Sequence, residues 1–199
     1  MALLLSLWIK LFFVLTPFFA LTMFLTLTEG CSERRRRRLA IAVAAAVAVI
    51  ALILFFAGRQ VFFVFGITVD SFRIGAGVLL LLSGIGLVQG RPAYAAAPNG
   101  DVAVVPLAIP IIVGPATTGT LLVMGAEMHS LSAKALGAAA VLLAVACVGG
   151  VLLAGSFLQR VLGARGITIL SRLTGLVLSA LAAQMIMTGV QGFLRVPSA

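Results

Sequence analysis

The apolar residues of this chain gather in long blocks, and short polar or basic clusters part them. A helix that crosses a bilayer needs about 20 mostly apolar residues. The pattern predicts six such spans: Met1 to Thr28, Leu39 to Ala57, Ile74 to Val88, Val102 to Ala126, Ala133 to Leu158 and Leu173 to Leu194. Between them lie Glu29-Gly-Cys-Ser-Glu33 with the arginines that follow, and a loop from Gly90 to Asp101 marked by Pro92, Pro98 and Asn99-Gly100. A basic connector runs from Gln159 to Ser171. Gly58 to Phe72 is mixed, with a short apolar run at Val61-Phe-Phe-Val-Phe65, and reads as an interfacial or re-entrant connector. Gly75, Gly77, Ser83, Gly84 and Gly86 offer the third span close helix packing. The first block is not read as a cleaved leader, because no basic stretch precedes it and Lys10 interrupts it. Lys10 itself reads as a side chain snorkelling to the interface.

Two blocks are broken by prolines in their middle. Val104 to Thr120 carries Pro106, Pro110 and Pro115, with Gly114 and Gly119. Each proline lacks an N–H and crowds the carbonyl four residues back, so Pro110 frees the carbonyl of Pro106 and Pro115 that of Ile111. Freed backbone at membrane depth is tolerated only where protein or a water-filled cavity covers it. Gly114 allows a turn, Pro115 suits a first helical position, and Ala116, Thr117 and Thr118 follow. The expectation is a broken span whose second half begins near the bilayer midplane, its unpaired N–H groups and positive dipole end facing a cavity. Pro17 breaks the first span in the same way.

Composition sharpens the class. Of 199 residues, 62% are hydrophobic and 10% charged, where soluble domains average about half and about a quarter. The chain reads as a single membrane domain, 1–199, with no room for a soluble enzyme domain. Its net charge of +9 could suggest nucleic acid, but five of the fourteen basic residues form the run Arg34 to Arg38. A short basic loop between apolar spans is a topology signal, with anionic lipid headgroups as its expected contact, so no nucleic-acid partner is expected. Cys31 and Cys147 have no partner spacing, and neither a disulfide nor a metal site is expected.

Six spans put both termini on one side. The loops after spans one, three and five carry nine basic residues, Arg34 to Arg38, Arg91, Arg160, Arg165 and Arg172. Lys10, Arg59, Arg73, Lys134 and Arg195, five in all, fall on the other side or in the first span. The positive-inside rule then places both termini outside.

The halves also resemble each other. Pro17, Thr22 and Glu29 recur as Pro115, Thr120 and Glu127 at a constant offset of 98. Gly66-Ile67-Thr68 recurs as Gly166-Ile167-Thr168, and Arg73 as Arg172. Three spans per half is an odd number, so the second half must be inverted relative to the first. The predicted fold is therefore an all-α polytopic membrane protein of six transmembrane helices, two inverted three-helix repeats with broken first helices. Residues 1–90 form the first repeat, 91–101 a linker and 102–199 the second. A pseudo-two-fold axis in the membrane plane would bring Pro17 and Pro115 together near the midplane, as in many secondary transporters.

Phe72-Arg-Ile-Gly-Ala-Gly77, Pro106-Leu-Ala-Ile-Pro-Ile-Ile-Val-Gly-Pro-Ala116 and Ser171-Arg-Leu-Thr-Gly175 resemble the MarC family, six-span inner-membrane proteins of bacteria and archaea grouped with neutral amino acid transporters. The resemblance implies amino acid transport and an inner-membrane location. The first half departs from the family: its break usually reads Asn- or Asp-Pro-x-Gly-Asn-x-Pro, whereas Thr16-Pro17-Phe18-Phe19-Ala20-Leu21-Thr22 stands here.

The candidate solute-binding residues are Thr16, Pro17, Thr22, Arg73, Pro110, Gly114, Pro115, Ala116, Thr117, Thr118, Thr120, Arg172 and Gln184. Each has a plainer reading. The prolines could only kink helices for packing, the threonine hydroxyls could bond back to their own helix, and Arg73 and Arg172 could anchor at headgroups. Gln184 could bond a neighbouring helix. The recurrence of the break in both halves favours function. No carboxylate falls inside a predicted span, so coupling would use helix-end Glu29 or Glu127 for H+, use Na+ held by freed carbonyls, or be absent. No cofactor is expected, and a homo-oligomer is left open. No phosphate loop, HExxH or Ser/His/Asp set points to an enzyme. The leading expectation is a carrier for a small neutral or zwitterionic solute, with its carboxylate on the N–H groups after Pro115. The alternative is a structural or assembly-type membrane protein whose breaks only aid packing.

Overall fold

The structure, a computed structural model, describes residues 2–90 and 112–195. Pro106 and Pro110, with most of the first half of the fourth predicted span, lie outside the described residues. Among the described residues seven helices follow in order: α1 (Ala2–Val14), α2 (Pro17–Leu27), α3 (Glu33–Phe65), α4 (Val69–Gln89), α5 (Pro115–Glu127), α6 (Leu131–Leu153) and α7 (Gly155–Arg195). No strand occurs among the described residues. α3, α4, α6 and α7 are each long and apolar enough to cross a bilayer, and α1 with α2, bent by 40° at their junction, makes a fifth if the pair is one span. The chain is an all-helical, multi-pass membrane protein.

Two expected connectors are helix instead. α3 runs unbroken from the Ser32 cap, whose hydroxyl accepts from the Arg35 N–H, to Gly66 at φ 62°. At 1.5 Å per residue it is about 50 Å long, well beyond a hydrocarbon core of about 30 Å. The segment from Gly58 onward was expected to leave the helix. It stays helical through Phe65 because nothing before Gly66 stops it, and because Phe63, Val64 and Phe65, 70–88% exposed, form an outward apolar end suited to lipid. The expected basic connector at 159–171 is likewise part of α7, interrupted only at Gly163 (φ 65°, ψ 171°). Arg160 and Arg165 are exposed from the helix itself and need no loop to reach water.

That same glycine corrects the register of the repeat. Gly66-Ile-Thr recurs in sequence as Gly166-Ile-Thr, but the glycine at positive φ among the described residues of the second half is Gly163. Thr68 caps α4 by accepting from the Ser71 N–H at 3.1 Å, whereas the Thr168 hydroxyl donates back to the Ala164 carbonyl at 2.9 Å. The triplet repeats as letters and not as conformation.

In lipid, apolar burial gives helices little reason to associate, so close backbone approach carries the packing. α4 and α7 lie antiparallel: Gly77 faces Ala182 and Ile186, while Gly84 faces Gly175 and Ser179. A Cβ on Gly175 would come within 2.7 Å of the Gly84 carbonyl oxygen. α5 crosses the C-terminal half of α3, where Gly125 lies on the Phe55 carbonyl and Gly58 on that of Leu122. The main core, including Leu21, Phe24, Val47, Phe55, Ile112 and Leu152, gathers between α1, α2, α3 and α6. A second cluster contains Val14 and Ala116, which flank the two helix breaks, with Leu80, Leu178 and Ala182.

Candidate functional site

The site begins with the two breaks. At the first, Thr16 takes φ 48° and ψ 57°, the one left-handed residue other than glycine among those described, and Pro17 restarts the chain as the first residue of α2. A β-branched residue there is strained, and strain of this kind concentrates at functional sites. The turn leaves the Val14 carbonyl without its helical partner. At the second break Pro115 is again the first helical residue, and the Thr118 N–H bonds to the Gly114 carbonyl at 2.9 Å. Gly114 has φ −82° and ψ −179°, extended backbone that any residue adopts, so the turn expected to need a glycine does not need one.

Thr117 joins the two breaks. It is 3% exposed, and its hydroxyl lies 3.0 Å from the Ile112 carbonyl oxygen and 3.3 Å from that of Val14. Its single hydrogen serves one carbonyl at a time. The hydroxyl thus substitutes for helical N–H groups that both proline breaks remove, and it holds the first half's break against the second's.

Two cavities flank this junction. One, of about 220 Å³, is lined by Lys10, Leu11 and Val14 of α1, Arg73 and Leu80 of α4, Thr120, Val123, Met124 and Glu127 of α5, and Gln184 of α7 among others. The other, about 350 Å³, is lined by Thr22, Leu25, Thr26 and Glu29 with Arg36, Gln159, Ala164, Ile167 and Thr168. Four positions of the second cavity, 22, 25, 26 and 29, recur in the first as 120, 123, 124 and 127, each 98 residues on. Thr22 donates back to the Phe18 carbonyl at 3.0 Å, and Thr120 to that of Ala116 at 2.9 Å, so the back-bond repeats as well. The cavities sit toward opposite ends of α3. Arg36 is in its first turns, whereas Glu127 follows the α5 segment packed on Phe55 and Gly58.

Each cavity has a charged group fastening it. Arg73 pairs with Asp70 of its own helix at 2.5 Å and with Glu127 of α5, tying α4 to α5. At the other end Arg36 donates to Ser156 Oγ at 2.7 Å, to the Thr28 carbonyl at 3.2 Å and to Glu33 at 3.4 Å. Ser156 in turn donates to Glu33 at 2.7 Å. Arg36 is therefore turned into the protein, which removes it from the set expected at lipid headgroups; Arg34, Arg35, Arg37 and Arg38 are exposed.

Of the sequence-predicted residues, Arg73, Thr120 and Gln184 come together in one cavity, and Thr22 lines the other. Thr16, Pro17, Gly114, Pro115, Ala116 and Thr117 form or adjoin the breaks and line neither cavity, and Thr118 follows one turn on. Pro110 lies outside the described residues. Arg172, matched to Arg73 by sequence, is exposed on α7 beside Gly90 and joins neither cavity. Lys10, read as an interface anchor, lines the smaller cavity, and Glu127, read as a helix end, is ion-paired within it. The offset of 98 that links Glu29 to Glu127 was the available signal for both carboxylates.

The comparisons with known proteins give the family. The description "MarC family integral membrane protein" matches residues 1–194. The chain is 34% identical to UPF0056 membrane protein MJ1677 of Methanocaldococcus jannaschii over 193 residues, 93% of this chain and 94% of that one. It is 30% identical to UPF0056 membrane protein YhcE of Escherichia coli, covering 92% and 90%. It is 26% identical to UPF0056 inner membrane protein YhgN of Escherichia coli, covering 94% and 95%. No solved structure matches. With a family match over nearly its whole length and relatives covered end to end, the chain belongs to the MarC family of integral membrane proteins.

Proposed function

We propose that the protein is a carrier for a small neutral or zwitterionic solute, an amino acid by preference, working by alternating access between two inverted three-span halves. The observation that carries the reading is the pair of cavities. The same four positions, 98 residues apart, line two hollows toward opposite ends of α3, and the Thr117–Val14 hydrogen bond ties together the two helix breaks. Discontinuous helices at a repeat interface are how many carriers build a site that faces each side in turn. A purely structural role would leave no reason for both cavities to carry a carboxylate and an arginine.

In this reading the broken helices cross near the bilayer midplane and both termini face outward. Arg34, Arg35, Arg37 and Arg38 meet anionic headgroups on the cytoplasmic side of an inner membrane. The solute carboxylate reaches the N–H groups after Pro115 when the Thr117 contact opens. Coupling to H+ would run through Glu29 and Glu127, and coupling to Na+ through carbonyls that the breaks free. No catalytic step is assigned.

The test is uptake of labelled neutral amino acids by purified protein in lipid vesicles. The expected result is saturable uptake above that of protein-free vesicles. Folded, inserted protein that moves none of them, inward or outward, would leave the breaks as packing features only.

A further inference from the structure

Resting on the carrier reading, we propose that the cavity between α1, α4, α5 and α7 is a first binding site for a short zwitterion on its way to the breaks, with Lys10 and Arg73 taking its carboxylate and Glu127 its ammonium. The three charged linings come from three different helices. Along each of these helices the charge stands at the mouth and the residue nearer the breaks is uncharged. Lys10 gives way to Val14 on α1, Arg73 to Leu80 on α4, and Glu127 to Val123 and Thr120 on α5. The fourth wall repeats the gradient, from Thr188 and Gln184 to Leu181 on α7. A charged rim of both signs over an apolar floor suits a solute with a zwitterionic head and a short apolar tail.

The charge count favours both signs together. Arg73 is held by Asp70 on one side and by Glu127 on the other, while Lys10 makes no ion pair among the described residues. A monocation entering here would face two cations. A monoanion would have to compete with Glu127 for Arg73, or sit on Lys10 beside that carboxylate. A zwitterion meets both. Its ammonium takes Glu127, whose carboxylate has room for several hydrogen bonds, and its carboxylate takes Lys10 and the guanidinium face that Glu127 gives up. Arg73 keeps Asp70 throughout. At about 220 Å³ the cavity has room for a small amino acid such as alanine. Binding would also exchange the direct α4–α5 ion pair for one bridged by the solute, so occupancy and the fastening of this cavity are linked.

The test is equilibrium binding of radiolabelled L-alanine to the purified full chain. Propionate, which lacks the ammonium, and ethylamine, which lacks the carboxylate, serve as competitors. L-alanine should bind at least tenfold more tightly than either. Glu127→Gln should weaken L-alanine at least tenfold and tighten propionate, because Arg73 is released to a lone carboxylate. Lys10→Gln breaks no ion pair, so folding is not at risk, and it should weaken both ligands. Equal competition by propionate and L-alanine in the parent protein, or unchanged L-alanine binding in Glu127→Gln, would overturn the assignment. Uptake measured in parallel separates the two readings. Vesicles that accumulate alanine while the competition pattern fails would sink only this site, whereas no uptake of any amino acid would sink the carrier reading and the site with it.

Discussion

Thr16 is where a single residue departs furthest from what its chemistry prefers. A left-handed conformation costs an ordinary L-residue about 1–2 kcal/mol, and β-branching makes it worse. Asparagine, one of the two residues (Asn or Asp) that the family resemblance implies at this position, tolerates the conformation because its short amide bonds locally. Thr16→Asn should therefore stabilise the protein by about 1 kcal/mol, read as a rise of roughly 2–4 °C in melting temperature. A fall would mean that the threonine makes a contact worth more than its strain. Thr117 is the opposite case: it is held in place by two carbonyls left without helical donors. The sequence showed that both prolines would free carbonyls. It could not show that one threonine would serve both breaks, because that pairing depends on how two segments 103 residues apart come together.

At the scale of helices, glycines divide into those that a neighbour's backbone touches and those that face open space. A Cβ on Gly125 would strike the Phe55 carbonyl, whereas one on Gly75 meets nothing within 4 Å. Gly125→Ala should cost about 1–3 kcal/mol through forced separation of α3 and α5. Gly75→Ala should be neutral or stabilise by up to about 1 kcal/mol through helix propensity. Equal effects in a detergent melting series would remove close packing as the organising force. The same scale shows what was legible in sequence. Blocks of apolar residues gave the helices, and Pro17 and Pro115 gave both restarts at the correct residue. Helix ends were less legible because polar composition resembles a loop: Arg160 and Arg165 look like a connector, yet they stay on α7 with water within reach. Gly163 and Gly66 make the real interruptions, at φ 65° and 62°, a conformation the letters alone do not reveal.

For the whole molecule, the nine-to-five asymmetry of basic residues predicts that the chain ends on the outer face. A phosphatase fused after Ala199, active only outside the cytoplasm, should be active, and a fusion at Gly30-Cys31, in the turn before the arginines that open α3, should be silent. The inverse pattern would turn the molecule over without altering its cavities. The candidate site was legible in part at this scale. The offset of 98 announced a duplicated element, and its carboxylates proved to line matching hollows. Lys10 could not be placed, because only the three-dimensional arrangement sets α1 against α4 and α5.

The measurement that bears most directly on the account is uptake by the parent protein, Pro115→Leu and Thr117→Val in vesicles, with folding and insertion verified for each. Pro115→Leu rebuilds a continuous helix and removes the unpaired N–H groups, so its uptake should fall to the level of protein-free vesicles. Thr117→Val keeps the break and loses the hydroxyl that bonds the Ile112 and Val14 carbonyls, leaving a buried carbonyl unpaired at a cost of about 1–3 kcal/mol. Its uptake should be weakened and still measurable. Normal uptake by Pro115→Leu would contradict the account, because transport would then not depend on the broken helix.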